Sequence, residues 1–174
     1  MSDRFRMRLA AIEDLNEAAS LIEERSLWIA ERGLDQWSLP IVDPRERMAE
    51  RIREGKVWLL ESPAGQLAGT ITLGDSGEPF WKDATPALYL SRMATTRKYA
   101  GRNLGGAMLN WANNYALGKV GKLRLDAWKT NADLHQYYLN QGFFYMGTVH
   151  IPGRRSGALF ERPVAEQIEI PYLT

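Results

Sequence analysis

Hydrophobic residues at the start of the chain follow two different spacings. Between Phe5 and Leu9 every second residue is apolar and the residues between them are arginines, which is the period of a half-buried strand. From Ile12 to Ile29 the apolar residues fall three and four positions apart, as on one face of a helix. Gly33 is suited to end that helix. The chain therefore begins with a predicted strand followed by a helix.

A second helix is predicted just after a loop. Asp43 suits the capping position, Pro44 suits the first helical position, and Glu46 completes a capping box. Gly55 marks the end of this helix.

The rest of the chain alternates between strands and helices. The apolar spacing and the turn residues define six further strands and two further helices. The predicted strands are Val57–Glu61, Leu67–Leu73, Leu88–Ala94, Lys122–Trp128, Phe143–His150 and Ala158–Val164, and the predicted helices are Asn103–Leu117 and Asn131–Asn140. The order βααβββαβαββ predicts an α/β (α+β) fold with a mixed, mostly antiparallel central sheet flanked by helices. No linker is visible, so a single domain over residues 1–174 is expected.

Composition narrows the classes of function. The 174 residues carry a formal net charge of +1 and no cysteine, which excludes disulfides, thiolate metal sites and a cysteine nucleophile. There is no overall basic field for nucleic acid and no apolar run long enough for a membrane helix. The two histidines, His135 and His150, make a weak case for a metal site. We expect a cytoplasmic protein without a metal, a nucleic-acid partner or a membrane partner.

The stretch from Leu88 to Gly106 is the strongest candidate for a ligand site. A buried strand runs into a glycine-containing turn, and the turn opens a helix whose free N–H groups and dipole suit an anion. Arg97, Lys98 and Arg102 add positive charge. A phosphate-bearing ligand is predicted, and a plain connection between two elements is the alternative.

This stretch, together with the pattern Asn131-x-x-Leu134-x-x-x-Tyr138-x-x-x-Gly142-Phe143, resembles the GNAT acetyltransferase superfamily. The resemblance extends along nearly the whole chain and implies the fold of that family. It also implies an acyl-CoA-dependent N-acyltransferase that moves an acetyl group from acetyl-CoA, its co-substrate, to a primary amine of a small molecule or peptide by direct attack.

The same resemblance implies which residues hold the coenzyme. The turn would hold its pyrophosphate, the strand edge would pair with its pantetheine arm, and the start of the last helix would contact that arm. These residues are Ala100, Gly101, Arg102, Asn103, Leu104, Gly105 and Gly106 in the turn, Met93, Ala94 and Thr95 on the strand, and Asn131.

Two turn residues depart from the family pattern Arg/Gln-x-x-Gly-x-Gly/Ala. Ala100 stands in place of Arg or Gln, and Asn103 stands in place of the first glycine. Asparagine adopts a positive φ more readily than most residues, so it can replace a glycine needed for backbone conformation. Its side chain would nevertheless crowd a phosphate, so weaker coenzyme binding is expected.

The resemblance makes Tyr138 the general acid that donates a proton to the departing sulfur. A core or surface tyrosine is the alternative. A backbone N–H near Met93 or Ala94 would face the thioester oxygen. The base is not identified, because the central strand carries no carboxylate; the candidates are Asp75, Glu78, Asp126 and His150.

The acceptor pocket is expected to be lined by tryptophans, with Arg154 and Arg155 nearby, although the same aromatics could be plain core. The tryptophans are Trp28, Trp37 and Trp81. A second function stays open, a non-catalytic acyl-CoA-binding or sensing domain with the same fold, which Ala100 and Asn103 favour. A homodimer formed through an edge strand near the C-terminus is also possible.

Overall fold

The structure, a computed structural model, describes residues 4–33 and 44–174. The predicted element order is confirmed within these residues. The helices are α1 (Leu15–Glu31), α2 (Pro44–Arg53), α3 (Leu104–Ala116) and α4 (Ala132–Asn140). The strands are β1 (Arg6–Leu9), β2 (Val57–Glu61), β3 (Leu67–Gly74), β4 (Leu88–Thr95), β5 (Lys122–Trp128), β6 (Phe144–Thr148) and β7 (Ser156–Pro163).

The seven strands form one mixed, mostly antiparallel sheet in the order β1-β2-β3-β4-β5-β7-β6. The parallel pairing joins β4 to β5 at its beginning, where Leu88 faces Leu123 and Tyr89 faces Arg124. The α/β fold with a helix-flanked sheet is therefore confirmed. The predicted capping residue Asp43 lies outside the described residues, and Pro44 is the first residue of α2.

By contacts the chain divides into two compact units, and β4 and α3 each contribute residues to both. The first unit comprises residues 1–73, 92–108 and 169–174, and the second comprises residues 74–91 and 109–168. A single domain stays a prediction. No helix among the described residues has both the length and the apolar character to cross a membrane.

The core of the first unit lies between α1, α2 and its strands. Apolar residues of both helices pack against β2 and against Ala94 near the end of β4, as their helical spacing predicts. The buried residues are Ala10, Ala18, Ala19, Leu21, Ile22, Met48, Ile52, Val57, Leu59 and Ala94. This packing places α1, α2, β2 and the last part of β4 around one core.

The C-terminal segment of the chain pairs with the outer side of β1. Phe5 N–H donates to the Tyr172 carbonyl at 2.9 Å, and Thr174 N–H donates to the Phe5 carbonyl at 2.9 Å. Phe5 and Leu173 form a parallel bridge, and both are buried. The segment thus lies at the edge of the sheet, and it covers the backbone of β1 that would otherwise be open.

The second unit is built on β5, β6 and β7 and on a buried charge network. Arg124 is only 3% exposed; its Nε donates to Glu161 at 2.7 Å, and its Nη1 donates to Asp83 at 2.6 Å. The guanidinium also lies 4.2 Å from the centre of the Trp81 ring. Because buried charges require partners, this network ties the loop before β4 to the strands.

Candidate functional site

The turn after β4 has the backbone conformation that the sequence predicts. Thr96 accepts a hydrogen bond from the Lys98 N–H at 3.3 Å and begins a short 3-10 turn. Gly101 has φ +83° and Asn103 has φ +51°, and α3 begins at the next residue. Asn103 therefore supplies the left-handed conformation for which the family pattern uses glycine.

The side chain of Asn103 lies against the first turn of α3. A Cβ atom added at Gly106 would be 2.5 Å from Asn103 Oδ1 and 2.6 Å from its Nδ2. Gly106 is the third residue of α3, where a capping side chain reaches the free amides of a helix. Asn103 thus lies beside the amides at the start of α3, which is where an anion binds at a helix N-terminus.

We predict that Asn103→Gly tightens coenzyme A binding about threefold or more, because removing the amide frees the helix N–H groups while glycine keeps the positive φ. Titration calorimetry with coenzyme A measures this change. Unchanged or weaker binding would show that Asn103 itself contacts the ligand.

A second substitution, Gly106→Ala, made alone and together with Asn103→Gly, provides the control. Gly106→Ala alone should weaken binding, because the new Cβ pushes the Asn103 side chain away from the helix and towards the ligand. In the Asn103→Gly background the same change should have little effect, so the two substitutions are non-additive. Additive effects would contradict the contact between these two residues.

The positive residues around the turn lie at the surface. Lys98 Nζ donates to Gln66 Oε1 at 2.5 Å, and the Arg102 guanidinium lies 5.7 Å from the centre of the Tyr99 ring. Arg97 lies 5.4 Å from the Trp28 ring. These cations give the outer side of the turn a positive potential, which favours an anionic ligand.

Of the three tryptophans expected in the acceptor pocket, two are described. Trp28 on α1 is surrounded by guanidinium groups, with Arg25 at 4.4 Å and Arg32 at 4.2 Å from its ring centre in addition to Arg97. Trp81 is buried beside Phe80 and Leu159. Trp37 lies outside the described residues. Burial of Trp81 favours a core role, and pocket roles for the three stay predictions.

Asn131 caps α4, because its side chain accepts the Leu134 N–H at 3.0 Å. Gly142, with φ +81°, follows the end of the same helix. Asn131 is therefore a helix cap, and its contact with the coenzyme stays a prediction.

Tyr138 lies on α4 in an aromatic environment of the second unit. Its ring centre is 5.6 Å from that of Phe143 and 5.7 Å from that of Phe160. Burial is the main cause that raises the pKa of Tyr138 above the ordinary value of a phenol, and Tyr137 and Asp126 raise this pKa further. The hydroxyl therefore stays protonated across the physiological pH range, as a hydrogen-bond donor must.

Among the four candidate bases, Asp126 differs from the others in its burial. It is partly buried on β5, whereas Asp75, Glu78 and His150 are exposed. Burial raises the pKa of Asp126, and the Ser156 hydroxyl and nearby Arg154 partly oppose this shift. A carboxylate with a raised pKa is a better proton acceptor, which is the property a general base requires.

The pairing of Asp126 with Tyr138 could not be read from the sequence. The two residues lie close enough for the Asp126 charge to raise the pKa of Tyr138, and they belong to the same unit. The one available signal is that Asp126 alternates with the apolar Leu125 and Ala127, which places it on the polar face of β5. Among the described residues no group of three His, Asp or Glu side chains could hold a metal ion.

The sequence model of the Acetyltransferase (GNAT) family matches residues 15–143. The chain belongs to the GNAT acetyltransferase family. The match covers the turn after β4, β5 and α4. The chain is thus an acyltransferase.

Three GNAT proteins show the extent of the similarity. An uncharacterized N-acetyltransferase of Bacillus subtilis strain 168, YesJ, is 28% identical over 156 residues, which are 84% of this chain and 86% of YesJ. A GNAT acetyltransferase of Listeria monocytogenes is 28% identical with a TM-score of 0.76, covering 91% of this chain and 94% of that one. Aminoglycoside acetyltransferase AAC(6')-Ib in complex with coenzyme A is 17% identical with a TM-score of 0.71, covering 91% and 94%, and shares the fold.

Proposed function

We propose that the protein is an acetyl-CoA-dependent N-acetyltransferase that acts on a primary amine by direct attack. The observation that carries this proposal is the presence of two complementary groups in the second unit, the carboxylate of Asp126 with a raised pKa and the protonated phenol of Tyr138. Amine acetylation needs a base for the incoming amine and an acid for the departing thiolate. The two groups supply both.

The coenzyme side of the proposal rests on the turn and on β4. The amides at the start of α3, from Leu104 to Gly106, would bind the pyrophosphate, together with Gly101 and Arg102. Met93, Ala94 and Thr95 would pair with the pantetheine arm through their backbones, and a backbone N–H of Met93 or Ala94 would stabilise the oxyanion. AAC(6')-Ib, which shares this fold, is known in complex with coenzyme A, and this supports the same ligand here.

The proposed reaction moves one proton at each end. Asp126 removes a proton from the ammonium group of the acceptor, directly or through a water. The neutral amine attacks the thioester carbonyl and forms a tetrahedral intermediate whose nitrogen carries one extra proton. When this intermediate collapses, the carbon–sulfur bond breaks, the nitrogen loses that proton to water, and coenzyme A leaves as a thiolate. The Tyr138 hydroxyl, which stays protonated because its pKa is raised, donates a hydrogen bond to the leaving thiolate and then transfers its proton to the sulfur, and water restores the proton of the phenol.

Removal of the Tyr138 hydroxyl tests its role as the general acid. Tyr138→Phe should lower kcat about 100-fold, while the dissociation constant of coenzyme A stays nearly unchanged, because the ring packing is retained. Tyr137→Phe, on the same helix, is the matched control and should keep most of the turnover. Thiol release gives kcat and calorimetry gives the affinity. A collapse of coenzyme affinity in Tyr138→Phe would make Tyr138 a structural residue.

The non-catalytic alternative is favoured by Ala100 and by the position of Asn103 over the helix amides. Thiol release with acetyl-CoA over amino acids, polyamines, aminoglycosides and peptides separates the two functions. Turnover with any amine supports the enzyme. Tight coenzyme binding without turnover on the whole panel would support a binding or sensing domain, and absence of binding would exclude both.

A further inference from the structure

Arg92 interrupts β4 with an unusual backbone conformation. Its φ is +47°, and it is one of two non-glycine residues with positive φ among those described. This conformation costs energy for a residue with a long side chain, and it persists where the surroundings require it. Arg92 directly precedes Met93 and Ala94, the residues proposed to face the acyl group. The strained position therefore adjoins the proposed reaction centre.

Helix α2 brings two more arginines to this part of β4. Met48 and Ile52 of α2 belong to the same buried cluster as Ala94, so this helix and the last part of β4 line the same core. Arg47 and Arg51 are one helical turn apart on α2 and act on the charge of Arg92. All these residues belong to the first unit.

The charges of Arg47 and Arg92 are not balanced by the described part of the protein. Arg51 pairs with Glu54 at 3.1 Å, but no described carboxylate pairs with Arg47 or Arg92. The Arg92 side chain is partly buried. Burial is the main cause that lowers the pKa of Arg92, and the positive charges of Arg47 and Arg51 lower it further. Proteins pair such partly buried charges, so a bound anion is a natural partner for this group.

We infer that Arg92 and Arg47 bind an oxyanion of the acceptor, so that the acceptor is an amine that also carries a carboxylate or phosphate. This inference rests on the proposed function and narrows its substrate class. Guanidinium groups bind either oxyanion through paired N–H donors. A polycationic amine without an anionic group would be repelled by the same arginines.

The coenzyme is a less suitable partner for this group. Its phosphates are proposed to lie at the turn after β4, where Arg97, Lys98 and Arg102 supply positive charge. Arg92 instead adjoins Met93 and Ala94, proposed to contact the acyl end. Removal of Arg92 should therefore change acceptor binding and leave coenzyme binding unchanged.

Matched acceptor pairs test this inference in the full-length protein. Thiol release is measured for amino acids against their carboxamides and for phosphoethanolamine against ethanolamine. The variants are Arg92→Gln, Arg92→Lys and Arg47→Gln, with the exposed Arg53→Gln on α2 as control. We expect the wild type and Arg53→Gln to favour the anionic member of one pair about 10- to 100-fold in kcat/KM, mainly through KM. Arg92→Gln and Arg47→Gln should lose most of this preference, and Arg92→Lys should keep part of it.

Calorimetry and thermal unfolding keep the inference testable without turnover. With coenzyme A bound, the preferred anionic amine should raise the unfolding midpoint of the wild type and not that of Arg92→Gln. If amines are acetylated without preference for the anionic member, this inference is wrong while the proposed function stands. If no anionic amine stabilises the coenzyme-bound protein, or if Arg92→Gln and Arg47→Gln weaken coenzyme A itself, the inference is also wrong. If nothing is acetylated but anionic amines stabilise the wild type alone, only the proposed function fails.

Discussion

Asp126→Asn is expected to lower kcat/KM about 100- to 1000-fold while coenzyme A affinity stays unchanged, because the amide cannot accept the proton of the incoming amine. The amide keeps the size of the side chain and can still receive a hydrogen bond from Ser156. Glu78→Gln, an exposed candidate base, is the control and should keep nearly full activity. Retention of more than about a third of the turnover in Asp126→Asn would exclude Asp126 as the base.

The same variant has an expected pH dependence. Because burial raises the pKa of Asp126, the acid limb of the kcat/KM profile should lie above the ordinary range of an aspartate, and it should be absent from residual activity in Asp126→Asn. The direction of the effect on protein stability follows from the same shift in the pKa of Asp126. The folded state holds this proton more tightly than the unfolded state, so the ionised group destabilises the protein at neutral pH, and this cost disappears as the pH falls. Asp126→Asn should therefore be at least as stable as the wild type at pH 7.

Gly157→Ala is expected to destabilise the protein by about 3 kcal/mol, a shift of roughly 6–12 °C in the unfolding midpoint. Gly157 has φ +138°, and an added Cβ would lie 2.2 Å from the carbonyl oxygen of Val149. That oxygen belongs to backbone, which cannot move without breaking the contact between the end of β6 and β7, where Val149 N–H donates to the Gly157 carbonyl at 2.9 Å. Urea unfolding, monitored by tryptophan fluorescence, measures the loss in the free energy of unfolding.

Gly153→Ala separates the effect of steric overlap from the effect of a positive φ. Gly153 also has a positive φ, +75°, but no atom lies within 4 Å of its added Cβ. Gly153→Ala should therefore lower the free energy of unfolding by only about 1 kcal/mol. Equal effects of the two substitutions would show that the Val149 carbonyl is not the cause. Because Ser156 precedes Gly157 and hydrogen-bonds Asp126, Gly157→Ala should also lower turnover.

Local patterns were sufficient to predict the elements of the fold. Alternation in β1 and β5 and the apolar face of α3 each depend on neighbours a few residues away, and these elements are confirmed within one or two residues. The strand predicted over Phe143–His150 is shorter in the structure, Phe144–Thr148, because Gly147 at φ +114° shifts its register with β7. The positive φ of Asn103 was also predictable, because it is a property of the residue type.

The long-range features of the candidate site could not be predicted in this way. Asp126 and Tyr138 are brought together by packing within the second unit, and no spacing rule joins them. Arg92 carries no signal at all, since arginine has no preference for a positive φ and the surrounding strand pattern is continuous. The network of Arg124, Asp83 and Glu161 likewise joins residues that are far apart along the chain.

The pairing of Phe5 with residues 172–174 has a consequence for folding during synthesis. The pairings of β5, β6 and β7 form between residues 122 and 163, so they become available while translation continues. The outer backbone of β1 is made before the segment that pairs with it, so it obtains its partner only when residue 174 has left the ribosome. Until then that strand is an open template for other nascent chains, and a chaperone that shields β1 would reduce this hazard.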